Sequence, residues 1–228
     1  NVALVGYTNV GKSTIMNRLS GERLHAEDRL FATLDATTRR IRLPEGEEML
    51  LTDTVGFIRN LPHHLVASFR ATLEEVVHAD LLMHVIDVSE PDHEAQTRVV
   101  RDVLEELGIA GTPTLPVFNK FDRVPAAERA GVRARVLAEH PDAVMASAVD
   151  PRGLVALEEA LSGYLRAEEL SVRVTLPLSA SRSLARLYEV GEVLGREYTD
   201  DAVLVDMRAR PDVVERLRQE GVVVRVAS

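Results

Sequence analysis

Cysteine and tryptophan are missing altogether from these 228 residues. Without cysteine there is no disulfide framework and no thiolate zinc site, and the absence fits a cytoplasmic setting. No run of about 18 apolar residues occurs, so no membrane-spanning helix is expected and a membrane is not among the expected partners. No secretory leader is visible. The chain instead opens one residue before an apolar run, Val2-Ala3-Leu4-Val5, which leads us to expect a further segment upstream. Lysine is nearly absent as well. Of 27 basic residues only two are lysines, Lys12 and Lys120. Basic charge is also outnumbered, and the net charge of −9 argues against binding DNA or other nucleic acid through the general surface field.

What is present is a globular composition. An apolar fraction of 46% supports a real core, and the length suits one large domain or a domain with a small appendage. A monomer is expected.

The stretch Gly6-Tyr7-Thr8-Asn9-Val10-Gly11-Lys12-Ser13 fits G-x-x-x-x-G-K-[ST]. The apolar run before it suits a buried strand. Thr14-Ile15-Met16-Asn17-Arg18-Leu19 after it reads as a helix. Glycines let main-chain N–H groups close around a polyanion, and the helix N-terminus adds its positive dipole end. Lys12 would neutralise β- and γ-phosphate oxygens, and Ser13 would give its hydroxyl oxygen to Mg²⁺. Both lysines of an arginine-rich chain fall in nucleotide motifs, where a compact point charge differs from a planar fork.

Residues 20–38 show no sustained period. A loop of this length in a compact domain is usually functional, and after a phosphate loop its natural role is a switch that closes on the γ-phosphate. Thr33, Thr37 and Thr38 are candidates to reach Mg²⁺, and spacing alone does not choose among them. Arg39–Leu43 and Glu48–Asp53 read as a hairpin around Pro44-Glu45-Gly46-Glu47. It ends in Asp53-Thr54-Val55-Gly56, where Asp53 would hold the Mg²⁺ shell through water and Gly56 would bring its N–H to the γ-phosphate. Phe57 stands where a Ras-like enzyme carries a water-orienting glutamine, so slow intrinsic hydrolysis is expected. Phe57 read simply as a hydrophobic anchor is the plainer alternative. A helix is expected from Pro62 to about His78. Its adjacent His63 and His64 point apart on a helix and read as surface residues rather than metal ligands.

Strand Asp80–Asp87, helix 91–107 and strand Thr114–Phe118 lead to Asn119-Lys120-Phe121-Asp122. An aspartate here can accept from both N–H groups on guanine's Watson–Crick edge and leaves a mismatched edge with adenine. Asn119 can bond the base or tie loops, and the Lys120 stem can cover the ring. Helix 125–140 and strand Ala143–Ala146 follow, ending in Ser147-Ala148 with Val149 beside them. Their main-chain N–H groups would lie near the guanine O6. A helix spans 151–168. Residues 1–168 therefore read as an α/β domain with ligands at the carboxyl edge of a mostly parallel sheet flanked by helices. Residues 170–228 read as a small α+β domain of order β-α-β-α-β, with a helix from Ser181 to about Gly195. Its cluster Arg182, Arg186, Arg208, Arg210, Arg216, Arg218 and Arg225 reads as solvated arginines paired with nearby acids, or else as a contact surface for RNA or protein.

The motif set resembles the HflX GTPases, of the Obg–HflX branch of translation-factor-related P-loop GTPases. The resemblance rests on the phosphate loop, Phe31-Ala32-Thr33-Leu34-Asp35, Asp53-Thr54-Val55-Gly56-Phe57-Ile58, Leu61-Pro62-His63 with Leu65-Val66, Phe69-Arg70, and Thr72-Leu73-Glu74-Glu75. It covers the nucleotide domain, and residues 170–228 suit the small domain that follows in many members. The resemblance implies GTP binding and hydrolysis to GDP with Mg²⁺, and association with the 50S subunit in splitting or rescuing ribosomes under stress. It also implies that residues 31–35 contact nucleotide and that Thr33, with Ser13 and Asp53, serves the metal. Lys12, Thr33 and Gly56 are then the residues expected to stabilise the transferring phosphoryl group. Members carry an N-terminal domain that is absent from this sequence, so ribosome splitting by this stretch alone is not expected. A nucleotide-holding adaptor without turnover and a P-loop phosphotransferase are the competing readings.

Overall fold

The computed structural model describes residues 1–21, 36–44, 46–57, 76–150, 152–167 and 169–226. The chain divides into two compact units, Asn1–Ala160 and Leu161–Ser228, and the division falls inside the helix α4 defined below.

The first unit is built on strands β1 (Val2–Gly6), β2 (Thr37–Arg42), β3 (Glu48–Asp53), β4 (Leu81–Asp87), β5 (Thr114–Asn119) and β6 (Val144–Met145). Their spatial order is β2-β3-β1-β4-β5-β6. Only the β2–β3 pair is antiparallel, which is the expected hairpin. β1 and β4 are buried at every position, as befits central parallel strands covered on both faces. The helices are α1 (Lys12–Leu19), α2 (His93–Glu106), α3 (Arg129–Glu139) and α4 (Val155–Ala167). α3 and α4 start later than the sequence suggests. Pro125 opens a turn instead, with Glu128 N donating to its carbonyl at 2.8 Å. The chain leaves β1 towards β2 and β3 on one side and returns to β4 on the other. The carboxyl end of β1 is thus the topological switch point where ligands of such sheets bind.

The second unit holds β7 (Leu170–Pro177), α5 (Ser181–Val190), β8 (Glu192–Tyr198), β9 (Ala202–Ala209), α6 (Pro211–Gln219) and β10 (Val223–Val226). The antiparallel order β10-β7-β9-β8 makes a βαββαβ, ferredoxin-like unit. The helix expected to reach Gly195 ends at Val190, and Glu192–Tyr198 forms an additional strand. Gly191 marks the change, because a Cβ there would lie 2.4 Å from Met207 Cε and 2.5 Å from the Arg208 carbonyl. Alternation in β7 and β9 buries Val172, Val174, Leu176, Val203, Val205 and Met207 with Leu187 of α5 and Leu217 of α6. On the other face Arg173 forks onto Asp206 at 2.6 and 2.7 Å. In the arginine cluster, Arg186 meets Glu220 at 2.7 Å, Arg208 meets Glu192 at 3.7 Å and Arg218 meets Glu215 at 3.8 Å.

Candidate nucleotide-binding site

The phosphate loop runs from the end of β1 into α1. Gly6 at φ 152°, Asn9 at φ 61° and Gly11 at φ 98° give it a backbone that ordinary side chains resist. Close approach explains two glycines. A Cβ on Gly11 would stand 2.4 Å from Asn119 Nδ2, and one on Gly56 would stand 2.7 Å from Thr8 Cα and 3.1 Å from Lys12 Nζ. Lys12 is 6% exposed and donates to the carbonyls of Gly6 and Tyr7, both at 3.1 Å. Burial pushes its ammonium down from 10.5 to about 8, and the Asp53 charge opposes that fall.

Ser13, the second residue of α1, donates its hydroxyl to Asp53 Oδ2 at 2.6 Å. Asp53 ends β3 and is 3% exposed. A hydroxyl and a buried carboxylate converge here beside a cradle of main-chain amides. That hard-oxygen set fits Mg²⁺ held jointly with phosphates. Among the described residues no group of three or more His, Asp or Glu gathers as a metal site. Thr37 and Thr38 lie in β2, and Thr38 shares a 2.9 Å hydroxyl bond with Thr52. Phe31, Ala32, Thr33, Leu34 and Asp35 lie outside the described residues. So does most of the helix expected from Pro62, with His63 and His64.

Phe57 is fully buried in the cluster of Ala3, Val5, Val76, Leu82 and Val100. Its main chain bonds the phosphate loop on both sides: Phe57 N to Gly6 O at 3.1 Å and Thr8 N to Phe57 O at 2.9 Å. The side chain, packed in that apolar cluster, serves as an anchor.

The Asn119–Asp122 segment is cross-tied to the phosphate loop. Asn119, 1% exposed, donates to Val10 O at 2.8 Å and accepts from Ala148 N at 3.1 Å. Lys120 Nζ lies 2.7 Å from Asn9 O and 2.7 Å from Asp87 Oδ2. Asp122 Oδ1 accepts from Ser147 Oγ at 2.6 Å. Ser147 N donates to Gly153 O at 3.0 Å, so of the main-chain N–H groups expected near O6, those of Ser147 and Ala148 are both engaged within the protein. Val149 is 69% exposed. Thr54 is buried and donates its hydroxyl to Leu4 O at 2.6 Å, which pins the Asp53–Gly56 segment to β1.

With this geometry in place, comparison with known proteins is informative. A family model described as 50S ribosome-binding GTPase matches residues 1–120. The chain belongs to that GTPase family. It is similar to proteins called GTPase HflX. The one from Gluconacetobacter diazotrophicus is 42% identical over 96% of this chain and 48% of its own length. The one from Caldanaerobacter subterraneus subsp. tengcongensis is 43% identical over 95% of this chain and 49% of its own. The chain thus spans about half the length of the curated HflX relatives it matches. Among solved structures, Era in complex with MgGDPNP and a segment of 16S ribosomal RNA is 26% identical with a TM-score of 0.57, covering 72% of this chain and 55% of that one. The P-loop GTPase fold expected from the sequence, with a mostly parallel sheet and a second α+β unit, is the fold of this member.

Three residues at the family site were not read from the sequence. Asp87 is 2% exposed, sits opposite Asn119 in register and holds Lys120. Its signal was a lone carboxylate closing a strand that carries only His84 besides apolar residues. His84, on β4 below the phosphate loop, is 8% exposed and pushed down to about 4 by burial, with Arg101, Lys12 and His140 adding to the fall. Arg129, the third, donates to the carbonyls of Val124 and Asp122. Among the described residues, no helix is long and apolar enough to cross a membrane.

Proposed function

We propose that residues 1–168 bind GTP and hydrolyse it to GDP and phosphate with Mg²⁺, as the switch of a protein that works on the 50S subunit in ribosome splitting or rescue. We further propose that residues 170–228 form a separate domain of that protein. The observation carrying this reading is the cross-tie between the two loops. Asn119 and Lys120 reach Val10 and Asn9, so the carboxylate of Asp122 and the phosphate cradle are held at a fixed separation. A nucleotide is the ligand that spans both ends, and a carboxylate at the base end selects guanine.

In this reading Lys12 neutralises the β- and γ-phosphates, and Gly56 gives its N–H to the γ-phosphate. Ser13 and Thr33, with Asp53 through water, would hold Mg²⁺, which would supply charge neutralisation to the phosphates. Phe57 contributes no water-orienting group, because its ring lies in the core. Intrinsic turnover is therefore slow, and the ribosome supplies what positions the water. The protein is a cytoplasmic monomer that binds neither DNA nor membrane.

Titration of the chain with GDP, GTP and ATP tests the base reading; ATP binding as tightly as GTP overturns it. Phosphate release measured with and without 50S subunits, using the full-length protein, tests the switch. Turnover that stays negligible with subunits present favours a nucleotide-holding adaptor, the reading to which the buried Phe57 lends weight.

A further inference from the structure

Arg129 occupies a position that local rules disfavour. It is the first residue of α3, with no acidic residue in the first turn, where the helix dipole repels positive charge. Arg133 follows one turn later, a like-charge pair on the same helix face. Both arginines converge on one ring. Their guanidinium carbons lie 5.9 and 5.7 Å from the centroid of Phe121, the variable residue of Asn119-Lys120-Phe121-Asp122. Arg129 does more. Its Nε donates to Val124 O at 2.9 Å and its NH2 group donates to Asp122 O at 2.9 Å.

These bonds brace a short 3-10 turn, Phe121–Arg123, that enters from Lys120 at φ 60°. A non-glycine residue held there is strained and persists only when its surroundings over-determine it. The near end of the turn is fixed by Lys120 on Asn9 O and Asp87, and by Phe121 N on Ala146 O at 3.0 Å. The far end has Arg129. Asp122 lies between, its carboxylate steered by Ser147.

We infer that Arg129 is a positioning residue for base selection: by gripping the carbonyls of Asp122 and Val124 and stacking on Phe121, it sets the angle at which the Asp122 carboxylate meets the base. The inference rests on the guanine reading above and extends it to a side chain that touches no nucleotide. Arg133, which contacts only the ring, contributes little.

The test compares GDP with IDP, whose base lacks the exocyclic amine that the carboxylate would accept from. In the Arg129→Ala protein the preference for GDP over IDP falls about five- to tenfold, while IDP affinity stays within about twofold of the starting protein. Arg133→Ala leaves the preference unchanged. Arg129→Lys, which keeps charge without the fork, shows a partial loss and carries the same test should the alanine variant not fold. An unchanged preference overturns the inference. So does an equal loss for GDP and IDP, the mark of a merely structural role. A starting protein that does not prefer guanine at all strikes instead at the guanine reading.

Discussion

Replacing Lys12 with methionine should make the nucleotide-free protein more stable at neutral pH while abolishing its ligand. Burial lowers the Lys12 ammonium from 10.5 to about 8, against the attraction of Asp53. At about 1.4 kcal/mol per unit, holding the charge in the empty cradle costs about 3 kcal/mol. The unfolded chain binds this proton more tightly than the folded one. The penalty is therefore fully present below pH 8 and is relieved as pH rises from about 8 to 10.5. Methionine has a similar shape and no charge. It forfeits the bonds to Gly6 O and Tyr7 O, but Gly6 O keeps Phe57 N at 3.1 Å. Loss of these bonds costs about 1 kcal/mol, which leaves a net gain of about 2 kcal/mol. Urea unfolding of both nucleotide-free proteins at about pH 7 and again at about pH 9.5 reads the difference. A variant less stable at neutral pH refutes the reasoning, as does a difference that fails to shrink in alkali. The same linkage acts on the ligand. Phosphates restore the proton to Lys12, so GDP affinity falls about fivefold between pH 8 and pH 9 as the free protein loses it.

Further expectations follow from single contacts. Gly56→Ala places a methyl 2.7 Å from the Thr8 backbone and 3.1 Å from Lys12 Nζ. GTP affinity and turnover should drop at least tenfold while GDP binding suffers less; equal affinity for GTP by titration would count against the γ-phosphate role. Phe57→Gln, which restores the residue of a Ras-like enzyme, buries an amide in an apolar cluster and should cost about 2–4 kcal/mol. It should leave intrinsic phosphate release no faster, and an accelerated single turnover would overturn the anchor assignment. Asp122→Asn should shift preference from guanine to xanthine nucleotides by about one to two orders of magnitude. Competition between GDP and XDP reads it, and retained rejection of XDP contradicts the base-reading role.

Much of the first unit is legible along the chain because its signals are redundant. Val2–Gly6 is apolar at every position, the glycines of the loop follow at once, and α1 starts within the motif. Either signal alone would be ambiguous; together they place the phosphate loop at the switch point of the sheet. The second unit was harder. Glu192–Tyr198 is an edge strand, mostly exposed on both faces and interrupted by a register shift between Val193 and Gly195. It therefore lacks the clean alternation that marked β7 and β9, and the helical period of α5 was carried across Gly191 into it. What betrayed the boundary was Gly191 itself, whose missing side chain admits Met207. The Asp87–Lys120 pair was hidden for a different reason. Its partners are neighbours only once β4 and β5 lie side by side, and no local period records that register. Arg129 was hidden because its place at the head of a helix looks like an error until the carbonyls it grips are seen.

The scarcity of lysine has a practical corollary. The only two lysine side chains in the sequence both bond to the phosphate loop, Lys12 through the Gly6 and Tyr7 carbonyls and Lys120 through Asn9 O, with Asp87 beside it. An acylating reagent therefore finds no other side-chain amine in this sequence. Mass shifts at these two positions, with and without added nucleotide, become a footprint of pocket occupancy that can be read in a crude mixture.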